Sequence, residues 1–164
     1  MGEEKPNEKI LALGKKKTDV AKHKLFGITA DDPEYWGLRC LCTDEMADIA
    51  LKMDVRKRYT LVELEKLIGK EVSYIEPIVE EMAKRGLLEF DYGDNYSHDD
   101  PIKNAPRIKR YMLPMFVPGS AEFTNMVKQQ LDDYPELAQF FERMTFIPLA
   151  GITELVPPGD RYRP

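Results

Sequence analysis

The sequence has few of the residues that hold metal ions or disulfides: its 164 residues include only two cysteines and two histidines. Cys40 and Cys42 cannot supply the four thiolates of an iron–sulfur cluster. Because they lie two positions apart on a predicted helix, they would project about 200° from one another and could not chelate one ion. We therefore expect buried or half-buried free thiols and a reducing, cytoplasmic location.

Long apolar runs and catalytic motifs are also lacking. No run approaches the roughly 18 apolar residues that span a bilayer, so we expect no membrane association. His23 and His98 have no serine or cysteine arrangement around them of the kind that activates a nucleophile. There is neither a glycine-rich phosphate loop nor a dinucleotide-binding fingerprint. The sequence thus assigns no catalytic, cofactor-binding or metal-binding residue, and we do not expect this chain alone to be an enzyme.

Charge is unevenly distributed along the chain. Seven lysines against four acids give residues 1–28 a net charge of +3, which leaves −8 for the remainder of a chain whose total is −5. This basic arm could touch an acidic partner or a phosphate. The favoured alternative is a solubilising tail whose apolar residues dock on the body, namely Ile10, Leu11 and Leu13.

Helix start signals begin at residue 32. Asp32 is a suitable N-cap and Pro33 suits the first helical position, and apolar residues at helical spacing continue to about Met53. We therefore predict one helix from residue 34 to about residue 53.

Two capping boxes predict the next two helices. Residues 60–63 open a short helix that ends at Gly69, and residues 73–76 open another that ends at Gly86. Pro77 would fall in the first turn of the second helix, where its missing N–H costs little.

The pattern then changes to strands. Residues 87–92 and 108–113 are typical of two strands, with a turn signal at 93–95 and a long loop between them. The order helix, short helix, helix, strand, loop, strand predicts a winged helix-turn-helix.

The remainder predicts a small C-terminal helical extension, with one helix from Ser120 to about Leu131 and another from Pro135 to about Met144. The predicted fold class is α+β and mainly helical. We divide the chain into a basic N-terminal arm (1–28), a winged-helix domain (29–118) and a helical extension with a proline-rich tail (119–164).

Nucleic-acid binding is the alternative function that this fold suggests, because its third helix can enter the major groove. Here that helix, residues 73–85, would present Glu76, Glu80 and Glu81, which repel phosphates. The four basic residues near the loop are cancelled by four aspartates, and the sequence pI is about 5.2. We therefore do not favour nucleic acid as a partner; its candidate contacts would be Lys103, Arg107, Lys109 and Arg110.

Aromatic and methionine residues are abundant after residue 110. They predict either a second small core packed on the winged helix or an interface that docks onto another domain. The candidate interface residues are Tyr111, Met115, Phe116, Phe123, Phe140 and Phe141.

Several ordered segments resemble one family. They are LFGIT (25–29), DPEY (32–35), TDEMAD (43–48), EMAKRGL (81–87), YMLPMFVPGSAEF (111–123), PELA (135–138), FERMT (141–145) and VPPG (156–159). Together they resemble the N-terminal region of large oxidoreductases from anaerobic bacteria. In that family a winged-helix-like segment precedes iron–sulfur motifs and, in many members, an FAD- and NAD(P)-binding module of the pyridine nucleotide-disulfide type.

The resemblance implies a non-catalytic adaptor or docking domain whose partners are other domains or subunits of such an oxidoreductase. A 4Fe-4S cluster, FAD and NAD(P) are implied for the parent enzyme and none for this chain. The family's cluster cysteines and nucleotide-binding glycines would lie beyond Pro164, and Cys40 and Cys42 do not match them. No functional residue is therefore carried over.

Overall fold

The computed structural model describes residues 5–18, 28–92, 108–116, 119–139 and 142. The described chain is mainly helical and contains a small three-stranded antiparallel sheet, as predicted for the class. Residues 136–139 are also helical. The elements in chain order are α1 (Glu8–Thr18), α2 (Pro33–Leu41), α3 (Asp44–Lys52), β1 (Arg58–Thr60), α4 (Leu61–Ile68), α5 (Val72–Lys84), β2 (Glu89–Asp91), β3 (Arg110–Met112), α6 (Ser120–Asn125) and α7 (Lys128–Asp133).

The sheet has the strand order β1-β3-β2, so the last strand lies between the other two. Tyr111 in β3 is opposite Tyr59 on one side and opposite Phe90 on the other. The first strand was not predicted from the sequence. It is three residues long and pairs only with residues about fifty positions later, so no local pattern marks it. The strands predicted at 87–92 and 108–113 are present but shorter.

The first predicted helix is wrong in extent, because the structure divides it into α2 and α3. Cys42 and Thr43 have extended backbone angles, and the Thr43 hydroxyl accepts a hydrogen bond from the Met46 amide at 3.3 Å. Thr43 thus caps a new helix where the apolar spacing alone indicated continuity.

Asp32 occupies the N-cap of α2, but its side chain makes no capping hydrogen bond. The carboxylate turns back instead and accepts from the amide of Thr29 at 2.7 Å. The position was therefore predicted correctly and the capping contact was not.

The capping box at Thr60 is confirmed in full. The Thr60 hydroxyl accepts from the Glu63 amide, and the Glu63 carboxylate accepts from the Thr60 amide at 2.7 Å. Gly69 ends α4 in the left-handed conformation, with φ of 76°.

The second predicted capping box does not form. The N-cap of α5 is Glu71, so Ser73 lies inside the first turn and Pro77 falls in the second turn rather than the first. Gly86 does adopt the predicted left-handed conformation, one residue after the C-cap. The amide of Leu87 then donates to the carbonyl of Met82 at 2.9 Å, which completes the helix end.

The predicted helix from Ser120 to about Leu131 is also two helices, α6 and α7, separated at residues 126 and 127. The helix predicted from Pro135 is helical at 136–139 and at 142, and its other residues beyond 139 lie outside the described residues. The loop at 93–107 lies outside them as well.

One continuous core joins the N-terminal helix to the rest of the described chain. Helix α1 packs on α2 and α3 through Ile10 and Leu13, which are both fully buried. Gly14 allows α1 to lie close to Ile28, which precedes α2, because a Cβ at Gly14 would overlap the Ile28 side chain. In the part of the chain that the structure describes, no helix has both the length and the apolarity that crossing a membrane requires.

Candidate functional site

Helix α5 is the element that would enter the major groove if this chain bound DNA as a winged helix does. Ile75, Val79 and Met82 face the core and are fully buried, and Ile78 is partly buried, in agreement with the spacing argument. Glu76 is exposed, as the sequence predicted. Glu80 is half-buried instead, because the neighbouring strand β3 contacts it.

Glu80 binds two side chains near or within β3. The ammonium group of Lys109 lies 2.6 Å and 2.8 Å from the two carboxylate oxygens, and the Tyr111 hydroxyl donates to one of them. The Lys109 hydrogen bond, followed by that of Tyr111, lowers the pKa of Glu80. Burial, followed by the Glu80 carboxylate, raises the pKa of Tyr111.

Lys109 also lies over the rings of Phe90 and Tyr111, with its nitrogen 4.3 Å and 5.3 Å from their centroids. This lysine is therefore held by a carboxylate and two aromatic rings at once. Such an arrangement leaves little of its charge for a phosphate.

Arg110 is bound in a similar way. Its guanidinium forms a two-point ion pair with Asp91 on the neighbouring strand, with distances of 2.8 Å and 3.1 Å. Arg58 on β1 approaches the same carboxylate at 2.6 Å. Both described nucleic-acid candidates are thus ion-paired within the sheet region, while Lys103 and Arg107 lie outside the described residues.

The candidate interface residues occupy different environments. Tyr111 and Phe116 are 1% and 3% exposed, so these two are core residues and do not present surface. Met115 is half-buried and Phe123 is 37% exposed. Phe140 and Phe141 lie outside the described residues.

An open apolar groove of about 320 Å³ surrounds Phe123. We call it the Phe123 groove; its lining residues are Ala83, Lys84, Gly86, Leu88, Glu89, Phe90, Phe123, Met126 and Val127. Met126 is 76% exposed and Phe90 is 50% exposed. The aromatic and methionine content after residue 110 predicts an apolar surface in this region, but it does not identify Phe90, because an alternating strand pattern does not indicate which face of the strand stays uncovered.

Gly86 is what brings the two sides of this groove together. A Cβ at Gly86 would lie 2.7 Å from the backbone carbonyl carbon of Phe123 and 2.8 Å from the amide nitrogen of Thr124. The end of α5 therefore contacts the backbone of α6 directly.

The two cysteines are free thiols with different exposure, as expected: Cys42 is buried and Cys40 is half-buried. Burial raises the pKa of the Cys42 thiol to about 12 and also raises that of Cys40. Among the described residues, no group of three histidine, cysteine, aspartate or glutamate side chains is placed to hold a metal ion. Two thiols also do not fit a cluster that needs four.

Comparison with known proteins found no matching family model, no matching curated protein and no matching solved structure.

Proposed function

We propose that this chain is a winged-helix docking domain of an iron–sulfur, flavin-dependent oxidoreductase, with electron transfer carried by other parts of the enzyme. The winged helix is inferred from the order α3-β1-α4-α5-β2-β3 together with the strand order β1-β3-β2. The 4Fe-4S cluster, FAD and NAD(P) would be bound by the partner part, because this chain's two cysteines do not fit a cluster.

The observation that carries the docking role is the Phe123 groove. Large apolar side chains that stay exposed together are typical of a protein interface. The groove lies between the end of α5, β2 and α6, and its lining includes Phe123 from the resembling segment 111–123 and three residues of the resembling segment 81–87. We infer that the iron–sulfur and flavin-binding part of such an oxidoreductase occupies it.

The DNA-binding alternative has weaker support. Two of its four candidate contacts, Lys109 and Arg110, are already ion-paired with Glu80 and Asp91. Phosphate neutralisation supplies most of the affinity in non-specific DNA binding, and paired cations contribute little of it.

The test begins with the coding DNA that continues or neighbours this sequence. If it encodes closely spaced cysteines followed by a glycine-rich nucleotide fingerprint, that part is expressed anaerobically and titrated with this chain by calorimetry. We expect binding, and we expect Met126→Asp to weaken it at least about tenfold, because a carboxylate would be desolvated in an apolar contact.

The matched control is Val62→Asp on α4, since Val62 is also exposed, at 54%, but does not line the groove. It should leave the affinity unchanged. The proposal would be contradicted if Met126→Asp and Val62→Asp bound the cluster- and flavin-binding part equally well, or if no such coding sequence existed.

A further inference from the structure

A lysine near the end of α1 is buried in the core. Lys17 is 2% exposed, whereas Lys15 two residues earlier is exposed to solvent. A charged ammonium group is costly to bury unless an opposite charge accompanies it. The surroundings of Lys17 therefore decide which protonation state the docked helix favours.

Four groups from other parts of the chain act on this amine. It donates a hydrogen bond to the Ser120 hydroxyl at the start of α6, and its nitrogen lies 5.1 Å from the centre of the Phe116 ring. Cys42, between α2 and α3, and Glu89 on β2 are the titratable groups whose charges act on it. A hydroxyl can accept from a neutral amine as readily as from an ammonium.

Burial lowers the pKa of Lys17 to about 7, against the smaller opposing effects of Cys42 and Glu89. Cys42 does not supply a neutralising charge near neutral pH, because burial raises its own pKa to about 12. Glu89 remains as the acidic group favouring the ammonium, and its influence does not offset the burial.

We propose that Lys17 makes the docking of α1 sensitive to protons, so that α1 is held most firmly when the amine is neutral and proton uptake loosens it. Release of α1 would uncover the surfaces of α2 and α3 on which Ile10 and Leu13 pack. The fold thus contains a helix whose attachment depends on pH.

The direction follows from the two forms of α1. When α1 is released, the Lys17 amine is solvated and has its ordinary pKa of 10.5; when α1 is docked, the pKa is about 7. Between these pH values release takes up a proton, so docking strengthens as the pH rises through that window. Below about pH 7 both forms are protonated and docking no longer changes.

The experiment measures local opening of α1 by amide hydrogen exchange in the full chain, corrected for intrinsic exchange rates. From the two pKa values, the opening constant should be roughly 25-fold smaller at pH 8.5 than at pH 6.5. Lys17→Met, which is unbranched and only one atom shorter but cannot be protonated, should remove this dependence. Lys15→Met should retain it.

A second measurement needs no variant. The ¹³Cε resonance of Lys17 in the native chain should titrate near pH 7 if the amine is buried as described. Titration near pH 10.5, or a pH dependence in Lys17→Met equal to that of the native chain, would overturn the proposal. The result is independent of whether an oxidoreductase partner exists, because both measurements use this chain alone.

Discussion

Gly69 and Gly86 have the same left-handed backbone conformation, with φ of 76° at each. Their surroundings differ, because a Cβ at Gly69 would meet nothing within 4 Å whereas one at Gly86 would meet the backbone of Phe123 and Thr124. The sequence assigned both glycines the same role as helix ends. The tertiary contact adds a second requirement to only one of them.

Replacement of these glycines by alanine separates the two requirements. Gly69→Ala should lower the free energy of unfolding by about 1 kcal/mol, the cost of a left-handed alanine. Gly86→Ala should lower it by about 3 kcal/mol or more, because backbone atoms cannot yield as a flexible side chain would. Urea denaturation of both variants measures the difference. Equal losses would mean that α6 does not lie against Gly86.

Several side chains that the sequence suggested as contacts for a partner instead bind other residues of this chain. Glu80 and Lys109 look like free charges in the sequence, yet they form an ion pair that joins α5 to the residue preceding β3. Tyr111 looks like an interface aromatic, yet it is the buried centre of the sheet. These outcomes depend on partners that are distant along the chain, which local patterns do not identify.

At the scale of elements, the chain offers two capping boxes of the same type, and only one of them forms. Thr60 and Glu63 cap each other across the start of α4. Helix α5 begins at Val72, before the second box, and the Ser73 hydroxyl contacts Glu71 at 3.4 Å instead.

Alanine substitution at the two hydroxyls tests this assignment. Thr60→Ala should lower the free energy of unfolding by about 1 kcal/mol, since a helix N–H loses its acceptor. Ser73→Ala should change it by less than about 0.5 kcal/mol, because an exposed residue inside a turn is replaced by a good helix former. Thermal and urea unfolding measure both. Similar losses at the two sites would contradict the helix start at Val72.

Two helices were predicted as single segments and are divided in the structure. Apolar spacing continues across residues 42–43 and 126–127, so periodicity gave no boundary. At the first break Thr43 caps α3, and the chain turns so that α1 packs on both α2 and α3. The break is therefore accompanied by the packing of α1, which the periodic pattern does not predict.

At the scale of the whole molecule, the acidic and basic residues of the sheet region largely cancel one another. Arg58 and Arg110 share Asp91, and Lys109 is held by Glu80. Among the described residues of the sheet region, Arg58, Lys109 and Arg110 are therefore all ion-paired. The acidic total charge of −5 acts in the same direction.

We therefore expect no appreciable DNA binding by this chain. Titration of a labelled duplex of arbitrary sequence at low salt, read by fluorescence anisotropy, should give no dissociation constant tighter than about 10⁻⁴ M. The physical reason is that the two described candidate cations, Lys109 and Arg110, are held by Glu80 and Asp91, and that the net charge of −5 opposes approach to the phosphates. Micromolar binding that weakens steeply with added salt would contradict this expectation and restore the DNA-binding alternative.

The mainly helical α+β class was predictable from the sequence, as were the starts or ends of several elements and the inward face of α5. These features depend on local chemistry: hydroxyl caps, left-handed glycines and apolar residues at helical spacing. Other features are visible only in the folded chain: the strand β1, the division of two helices, the ion pairs of Lys109 and Arg110, the exposed Phe123 groove and the burial of Lys17. Each of these depends on contacts between residues far apart in the chain, and such contacts form only when the whole core packs.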